Sequence, residues 1–142
     1  MVKVLYTANG SATGGGREGS ASTDDKVLDV KLTTPKALGG AGAAGTNPEQ
    51  LFAVGYSACF LGAMRFVGNR DKIAVPADAK VEAAIGIGPR EDGEGFGITA
   101  ALTVTLPGLE REQAEELVRR ADIVCPYSHA TKGNIEKTLT VA

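Results

Sequence analysis

The residues of this chain with the most chemical potential are its two cysteines. Cys59 lies in the stretch GTNPEQLFAVGYSACFLGAMRF, residues 45–66, in which residues 51–64 carry no charge. Cys125 lies in ADIVCPYSHATKGN. A cysteine thiolate can act as a nucleophile, but a free cysteine is also often a small buried hydrophobe, and for each cysteine taken singly we favour that inert interpretation. Two cysteines and one histidine are too few for the common four-ligand zinc sites.

A reactive cysteine in an apolar pocket needs a cation or a hydrogen-bond donor nearby. The charged residues in suitable surroundings are Arg17, within the Gly-rich turn GGGREG, and Glu49, at the start of the uncharged stretch. Taken alone, Arg17 is typical of a solvated loop and Glu49 of the first turn of a helix. His129 is more typical of a solvated or capping residue than of a general base. The sequence contains no Ser/His/Asp set and no Walker phosphate loop.

Composition predicts one soluble domain, 1–142. The net charge is −2 and the fifteen basic residues are scattered, which indicates neither a nucleic acid nor an anionic membrane as partner. The N-terminus lacks the apolar segment of a signal peptide, and the charge-free run 51–64 is shorter than the roughly 20 residues of a membrane span. We therefore expect a cytoplasmic protein, in which a disulfide between the cysteines would be transient.

Hydrophobic periodicity predicts the order β-β-β-α-β-β-α-β. Strands are expected at 2–7, from about 17 to 23, and at 26–33, 79–88, 96–106 and 135–141. A second helix is expected at 107–124, followed by one further helical turn before Gly133. Because strands and helices are grouped, we predict an α+β fold with antiparallel sheets.

The first helix should begin at Asn47, where Asn47, Pro48 and Gln50 resemble a capping box, and should end near Gly68. Its apolar residues surround the whole helix, which predicts burial on several sides. One stripe, with Cys59 at its centre, is formed by Phe52, Tyr56, Cys59, Ala63 and Phe66.

The motifs GTNPEQLFAVGYSACF and CPYSHATKGN, with an arginine in a Gly-rich N-terminal turn, resemble the organic hydroperoxide resistance proteins. These belong to the larger family that includes the osmotically inducible protein C group. The resemblance extends from VLYTA to LTV, and YSHATKGN indicates the organic hydroperoxide branch. His129 stands where a smaller polar residue is expected, and Lys132 where arginine is common.

This resemblance implies a thiol peroxidase that reduces alkyl or fatty acyl hydroperoxides. Cys59 would attack the peroxide and become a sulfenic acid, and Cys125 would resolve it as a Cys59–Cys125 disulfide. Arg17 would lower the pKa of the thiol, and Glu49 would orient Arg17. Dihydrolipoyl groups on lipoylated proteins would reduce the disulfide, and no bound metal or other cofactor is implied.

An apolar substrate pocket is expected from Phe52, Tyr56, Phe96 and Tyr127. The resemblance also places Glu49 and Cys59 in one site, yet ten residues of one helix separate them by about 15 Å. We therefore expect an intertwined two-fold homodimer with shared sites. Two other functions stay open: a peroxide sensor or small-ligand-binding protein without turnover, and a structural domain with inert cysteines.

Overall fold

The computed structural model describes residues 1–142. The chain divides into two compact units, Met1–Leu51 and Phe52–Ala142. Each unit contains one three-stranded sheet. The expectation of a single domain over 1–142 stays a prediction.

The sheet of the first unit is antiparallel, in the order β1 (Gly10–Thr13), β2 (Ser20–Thr23) and β3 (Asp29–Lys31). A single 3₁₀ turn, Gly16–Glu18, connects β1 to β2 and carries Arg17. Gly15, which precedes this turn, has a φ of 91°, a backbone conformation that costs glycine little. A side chain at Gly19 would place its Cβ 1.8 Å from the carbonyl oxygen of Thr13. The Gly-rich sequence is therefore what allows the chain to reverse so tightly around Arg17.

The N-terminal segment corrects the first sequence prediction. Residues 1–9 form no strand, and β1 lies instead in the segment predicted to be a turn. The large side chains of Val2, Val4, Leu5 and Tyr6 are exposed. Residues 2–7 alternate as a strand does, but a strand also needs a neighbouring backbone, and no backbone hydrogen bond joins residues 2–6 to another segment.

The remaining predicted boundaries in this unit need smaller changes. The second strand begins at Ser20 rather than near Arg17, because the tight turn occupies the intervening residues. The third strand is limited to Asp29–Lys31, because a turn precedes it and Leu32 already pairs with Thr46.

Helix α1 spans Pro48–Asp71. As predicted, the Asn47 side chain caps it, accepting a hydrogen bond of 2.8 Å from the backbone N–H of Gln50. The reciprocal bond of a capping box is absent, since the Gln50 side chain accepts instead from the hydroxyl of Thr46. The helix extends three residues beyond the predicted end at Gly68.

The sheet of the second unit has the order β4 (Lys80–Pro89), β5 (Phe96–Thr105) and β6 (Glu136–Val141). The first two strands form the predicted antiparallel hairpin, whereas β5 and β6 are parallel. The parallel pair follows from the connection, because α2 (Arg111–Val124) and α3 (Pro126–Thr131) return the chain to the start of the sheet. The α+β class with a long helix is confirmed, and this one strand pair departs from the antiparallel rule.

The core of the second unit lies between α1, the sheet and α2. From α1 it takes Tyr56, Phe60, Ala63, Met64 and Val67. Phe66, which was predicted to belong to the Cys59 stripe, is instead exposed. Helix α1 is long and apolar enough to cross a membrane by length and composition alone, but buried core side chains of this kind are typical of the central helix of a folded domain.

Candidate active site

The two cysteines lie next to each other. Their Sγ atoms are 3.4 Å apart, and both cysteines are free thiols. Because a disulfide bond is about 2.05 Å long, the sulfurs are in contact without being bonded. Cys125 is completely buried, whereas Cys59 is partly exposed. Of the two thiols, Cys59 is thus the one that a dissolved reagent reaches first.

The local sequence places Cys125 at the junction of two helices. Helix α2 ends at Val124, and Pro126 begins α3. Pro126 has no N–H to donate, which suits the first position of a helix but not its continuation. Cys125 therefore has an extended backbone, donates its N–H to the Ala121 carbonyl and accepts a bond from the N–H of His129. As predicted, the second cysteine lies at a helix end.

The pKa of the Cys59 thiol is raised above its ordinary value. Its burial is the main cause, and the neighbouring thiol of Cys125 adds to the effect. A hydrogen bond from the backbone N–H of Tyr127 acts in the opposite direction but does not overcome them. A thiol in this setting is mostly protonated at neutral pH, and it becomes a good nucleophile only if a cation approaches it.

A buried hydrogen-bond network joins α1 to α3. The Tyr56 hydroxyl lies 2.8 Å from the Ser128 hydroxyl and 3.3 Å from that of Thr131. Thr131 also donates to the Tyr127 carbonyl oxygen, at 2.9 Å. Since all three side chains are buried, these bonds form without competition from water. The network fixes α3, which directly follows Cys125, against the helix that carries Cys59.

Three aromatic rings form a cluster above this network. Phe52 meets Tyr56 edge-on, with centroids 5.7 Å apart, and stacks on Tyr127 at 5.6 Å. Tyr56 was predicted to line a substrate pocket, but its ring is completely buried and its hydroxyl is occupied. It is therefore a positioning residue, while Phe52 and Tyr127 are the members of the cluster that retain exposed surface.

Phe96 lies at the start of β5 and is exposed. Together with Phe52 it lines a cavity of about 600 Å³ in the second unit, a volume within the range of small-molecule sites. Tyr56 and Tyr127 do not line this cavity. Two of the four predicted pocket residues are thus brought together here.

The predicted charged pair forms in the first unit. Arg17 makes two hydrogen bonds to the Glu49 carboxylate, Nη1 to Oε2 at 2.8 Å and Nη2 to Oε1 at 2.6 Å. This two-pronged geometry is the strong form of an Arg–carboxylate interaction. The bond from Arg17 holds the pKa of Glu49 below its usual value, and the pKa of Arg17 is raised in return. Both groups are therefore charged at neutral pH, and the guanidinium is held in one orientation.

Three residues around the thiols are not predicted from the sequence: Ser128, Thr131 and Gly55. A Cβ at Gly55 would lie 3.2 Å from the Tyr127 hydroxyl, so its missing side chain makes room for that ring. Ser128 and Thr131 follow Cys125 at intervals of three residues, which places them on one face of the short helix. That periodicity was a usable signal, but it identifies a face and not its partner on a distant helix.

His129 is exposed on α3, as predicted for a solvated residue.

Comparison with known proteins identifies the family to which this chain belongs. The sequence model of the OsmC-like protein family matches residues 39–140. The chain is 54% identical over 140 residues to an organic hydroperoxide resistance protein of Xanthomonas axonopodis pv. citri, covering 99% of this chain and 96% of that protein.

Solved structures are similar over the full length. A crystal structure of the organic hydroperoxide resistance protein OhrB of Bacillus subtilis has a TM-score of 0.89 and 43% identity, and covers 98% of this chain and 100% of that one. An organic hydroperoxide resistance protein of Elizabethkingia anophelis has a TM-score of 0.92 and 47% identity, with 99% of each chain covered.

The α+β fold and the sequence of this chain thus define a known class of protein. The chain belongs to the OsmC-like family, in the branch of the organic hydroperoxide resistance proteins.

Proposed function

We propose that this protein is a thiol-dependent peroxidase that reduces organic hydroperoxides to alcohols. The observation that carries the proposal is the pair of free thiols 3.4 Å apart, one accessible and one buried. The names of its relatives, organic hydroperoxide resistance proteins, support the same substrate class.

In the first step the Cys59 thiolate attacks one oxygen of the O–O bond. Sulfur gains that oxygen and becomes a sulfenic acid, while the other oxygen leaves as an alkoxide and takes a proton to become the alcohol. The Cys125 thiol then attacks the Cys59 sulfur, a disulfide forms and water leaves. The 3.4 Å contact means that this second step needs only a small movement of either sulfur.

Return to the dithiol requires two electrons. We propose a dihydrolipoyl group on a lipoylated protein as their source, because the motifs around both cysteines resemble those of proteins that use it. The dihydrolipoyl dithiol exchanges with the protein disulfide in two steps and leaves as the cyclic disulfide.

Activation of Cys59 requires a cation, since burial alone raises the pKa of its thiol. We assign that role to Arg17, which Glu49 holds in a fixed orientation. Glu49 and Cys59 are ten residues apart on α1, so about 15 Å separates them along its axis. We therefore propose that Arg17 and Glu49 of the partner subunit complete the site in a two-fold homodimer.

Two exposed apolar surfaces support such a dimer. Along α1, Val54, Ala58, Gly62 and Phe66 follow each other at four-residue intervals and are all exposed. The N-terminal segment 2–6 presents further large apolar side chains without a strand to pair with. Antiparallel packing of two α1 helices, together with pairing of the N-terminal segments onto the partner, would bury both surfaces.

Steady-state consumption of tert-butyl hydroperoxide with dihydrolipoamide as reductant tests the proposal. Wild-type protein should turn over repeatedly, Cys59→Ser should be inactive, and hydrogen peroxide should be a poorer substrate because it gains nothing from apolar surroundings. If Cys59 is oxidised once but no turnover follows in the presence of reductant, this would indicate the alternative function of a peroxide sensor. Retained activity in Cys59→Ser would disprove the assignment of the nucleophile.

A further inference from the structure

The 600 Å³ cavity of the second unit combines an apolar wall with a single charged group. Arg90, which follows the end of β4, is the only charged residue that lines it. The wall consists mainly of aromatic and branched aliphatic side chains, together with the polar residues Thr131 and Asn134. The apolar lining residues are Phe52, Phe96, Ile98 and Ile135.

The cavity and Cys59 share helix α1, since Phe52 lines the cavity. Phe52, which forms part of its wall, precedes Cys59 by seven residues, or about two turns of α1. The two residues therefore lie on the same side of the helix, about 10 Å apart along its axis. Phe52 also stacks on Tyr127, whose backbone N–H acts to lower the pKa of the Cys59 thiol. A group bound in the cavity thus needs an extended chain, and not a short substituent, to reach the sulfur.

The backbone of the hairpin holds Arg90 over the cavity. Gly97, on the paired strand, also lines the cavity, and a Cβ there would lie 3.2 Å from Cγ of Arg90. The missing side chain at Gly97 thus lets the aliphatic part of Arg90 cross β5. The guanidinium uses its Nε and Nη2 atoms to contact one carboxylate oxygen of Asp92. A guanidinium has five N–H donors, so three are still available to a ligand.

We infer that Arg90 binds the carboxylate of a fatty acyl hydroperoxide whose peroxide group reaches Cys59, and that it thereby sets a preference for carboxylate-bearing peroxides over neutral ones. This inference rests on the proposed function. A planar guanidinium matches a carboxylate better than any other basic group does. The apolar wall next to it suits the methylene chain that would connect the carboxylate with the peroxide.

Kinetics with two matched substrates test the inference. The values of kcat/KM for linoleic acid hydroperoxide and for its methyl ester are measured in the same detergent for wild type and Arg90→Gln. We expect wild type to favour the acid. In Arg90→Gln, kcat/KM for the acid should fall about tenfold, the lower end of what hydrogen bonds to a charged group contribute, and kcat/KM for the ester should not change. Arg90→Lys should recover part of the preference, and added salt should reduce it.

Arg70→Gln is the matched control. Arg70 also contacts a neighbouring aspartate, Asp71, through Nε and Nη2, and its side chain is 48% exposed compared with 47% for Arg90. Arg70→Gln removes the same charge, but Arg70 lies outside the cavity, so kcat/KM should change for neither substrate. Equal losses on acid and ester in Arg90→Gln, or the same loss of preference in Arg70→Gln, would overturn the inference.

A binding experiment separates this inference from the proposed function. Oleate and methyl oleate are titrated calorimetrically into Cys59→Ser protein with and without Arg90→Gln. We expect Arg90→Gln to weaken oleate binding about tenfold and to leave methyl oleate binding unchanged. A protein that binds oleate through Arg90 but reduces no peroxide would contradict the peroxidase function alone. A protein that reduces peroxides but binds oleate equally well with either residue would contradict this inference alone.

Discussion

Replacing Tyr56 with phenylalanine removes one buried oxygen atom from between α1 and α3 and tests how the two sulfurs are held together. The Ser128 hydroxyl has the Tyr56 hydroxyl as its hydrogen-bond partner, at 2.8 Å, and Ser128 is almost completely buried. Thr131 is affected less, because it keeps its bond to the Tyr127 carbonyl. The change therefore leaves one buried hydroxyl unsatisfied, which costs about 1–3 kcal/mol.

This cost should lower the midpoint of thermal unfolding by about 3–10 °C, measured by circular dichroism at fixed protein concentration. Ser128→Ala should cost less, because the Tyr56 hydroxyl can still bond to Thr131. The double variant should cost less than the sum of the single variants, since removal of both partners leaves no orphan group. Strictly additive costs would refute the hydrogen bond as the source of the stability.

The same variant should slow disulfide formation more than peroxide attack. Cys125 directly precedes the helix that Tyr56 holds in place, and misplacement of a reacting group by 1 Å can cost about a hundredfold in rate. After one equivalent of cumene hydroperoxide, rapid quenching and mass spectrometry should find Cys59 sulfenic acid in Tyr56→Phe for longer than in wild type. An unchanged rate of disulfide formation with a lowered midpoint would show that the network stabilises the fold without positioning the thiols.

Three further predictions concern the proposed chemistry. Cys125→Ser should consume one equivalent of peroxide and then stop, and mass spectrometry should find sulfenic acid and its overoxidised products; continued turnover with dihydrolipoamide would contradict the resolving role. Arg17→Ala should raise the pKa of Cys59, so that peroxide reduction keeps increasing with pH into the alkaline range where wild type has levelled off; a thiol titration curve equal to that of wild type would exclude Arg17 as the activating cation. Inactive Cys59→Ser chains refolded together with inactive Arg17→Ala/Glu49→Ala chains should regain activity, because one site of each mixed dimer would be intact; mixed dimers without activity, or an active monomer, would contradict the shared site.

Local signals in the sequence predicted much of the fold. Asn47 caps α1 as expected, because a side-chain cap depends on residues within one helical turn. The alternation in residues 79–106 predicted a hairpin with nearly correct ends for the same reason. The segment 2–7 has an equally good pattern but forms no strand, because pairing depends on a second backbone that the pattern does not specify.

The candidate site shows the same limit. Its cysteines were identified by their motifs, and the Arg17–Glu49 pair was expected from the family resemblance and is found as an ion pair. The link from Tyr56 to Ser128 spans 72 residues and is set by tertiary packing, so local periodicity could not reveal it. The sequence predicts Tyr56 as a pocket residue, because an aromatic residue on the Cys59 face of a helix has the same spacing whether it lines a pocket or fills a core.

The central claim is that Cys59 and Cys125 form one redox pair. Its most direct test is to reduce the protein anaerobically, add one equivalent of cumene hydroperoxide and count the free thiols before and after. The proposed chemistry predicts a fall from two thiols per chain to none, with the disulfide between Cys59 and Cys125 located within one chain by non-reducing peptide mapping. Two thiols that persist after the peroxide is added, or disulfides that join separate chains, would contradict it.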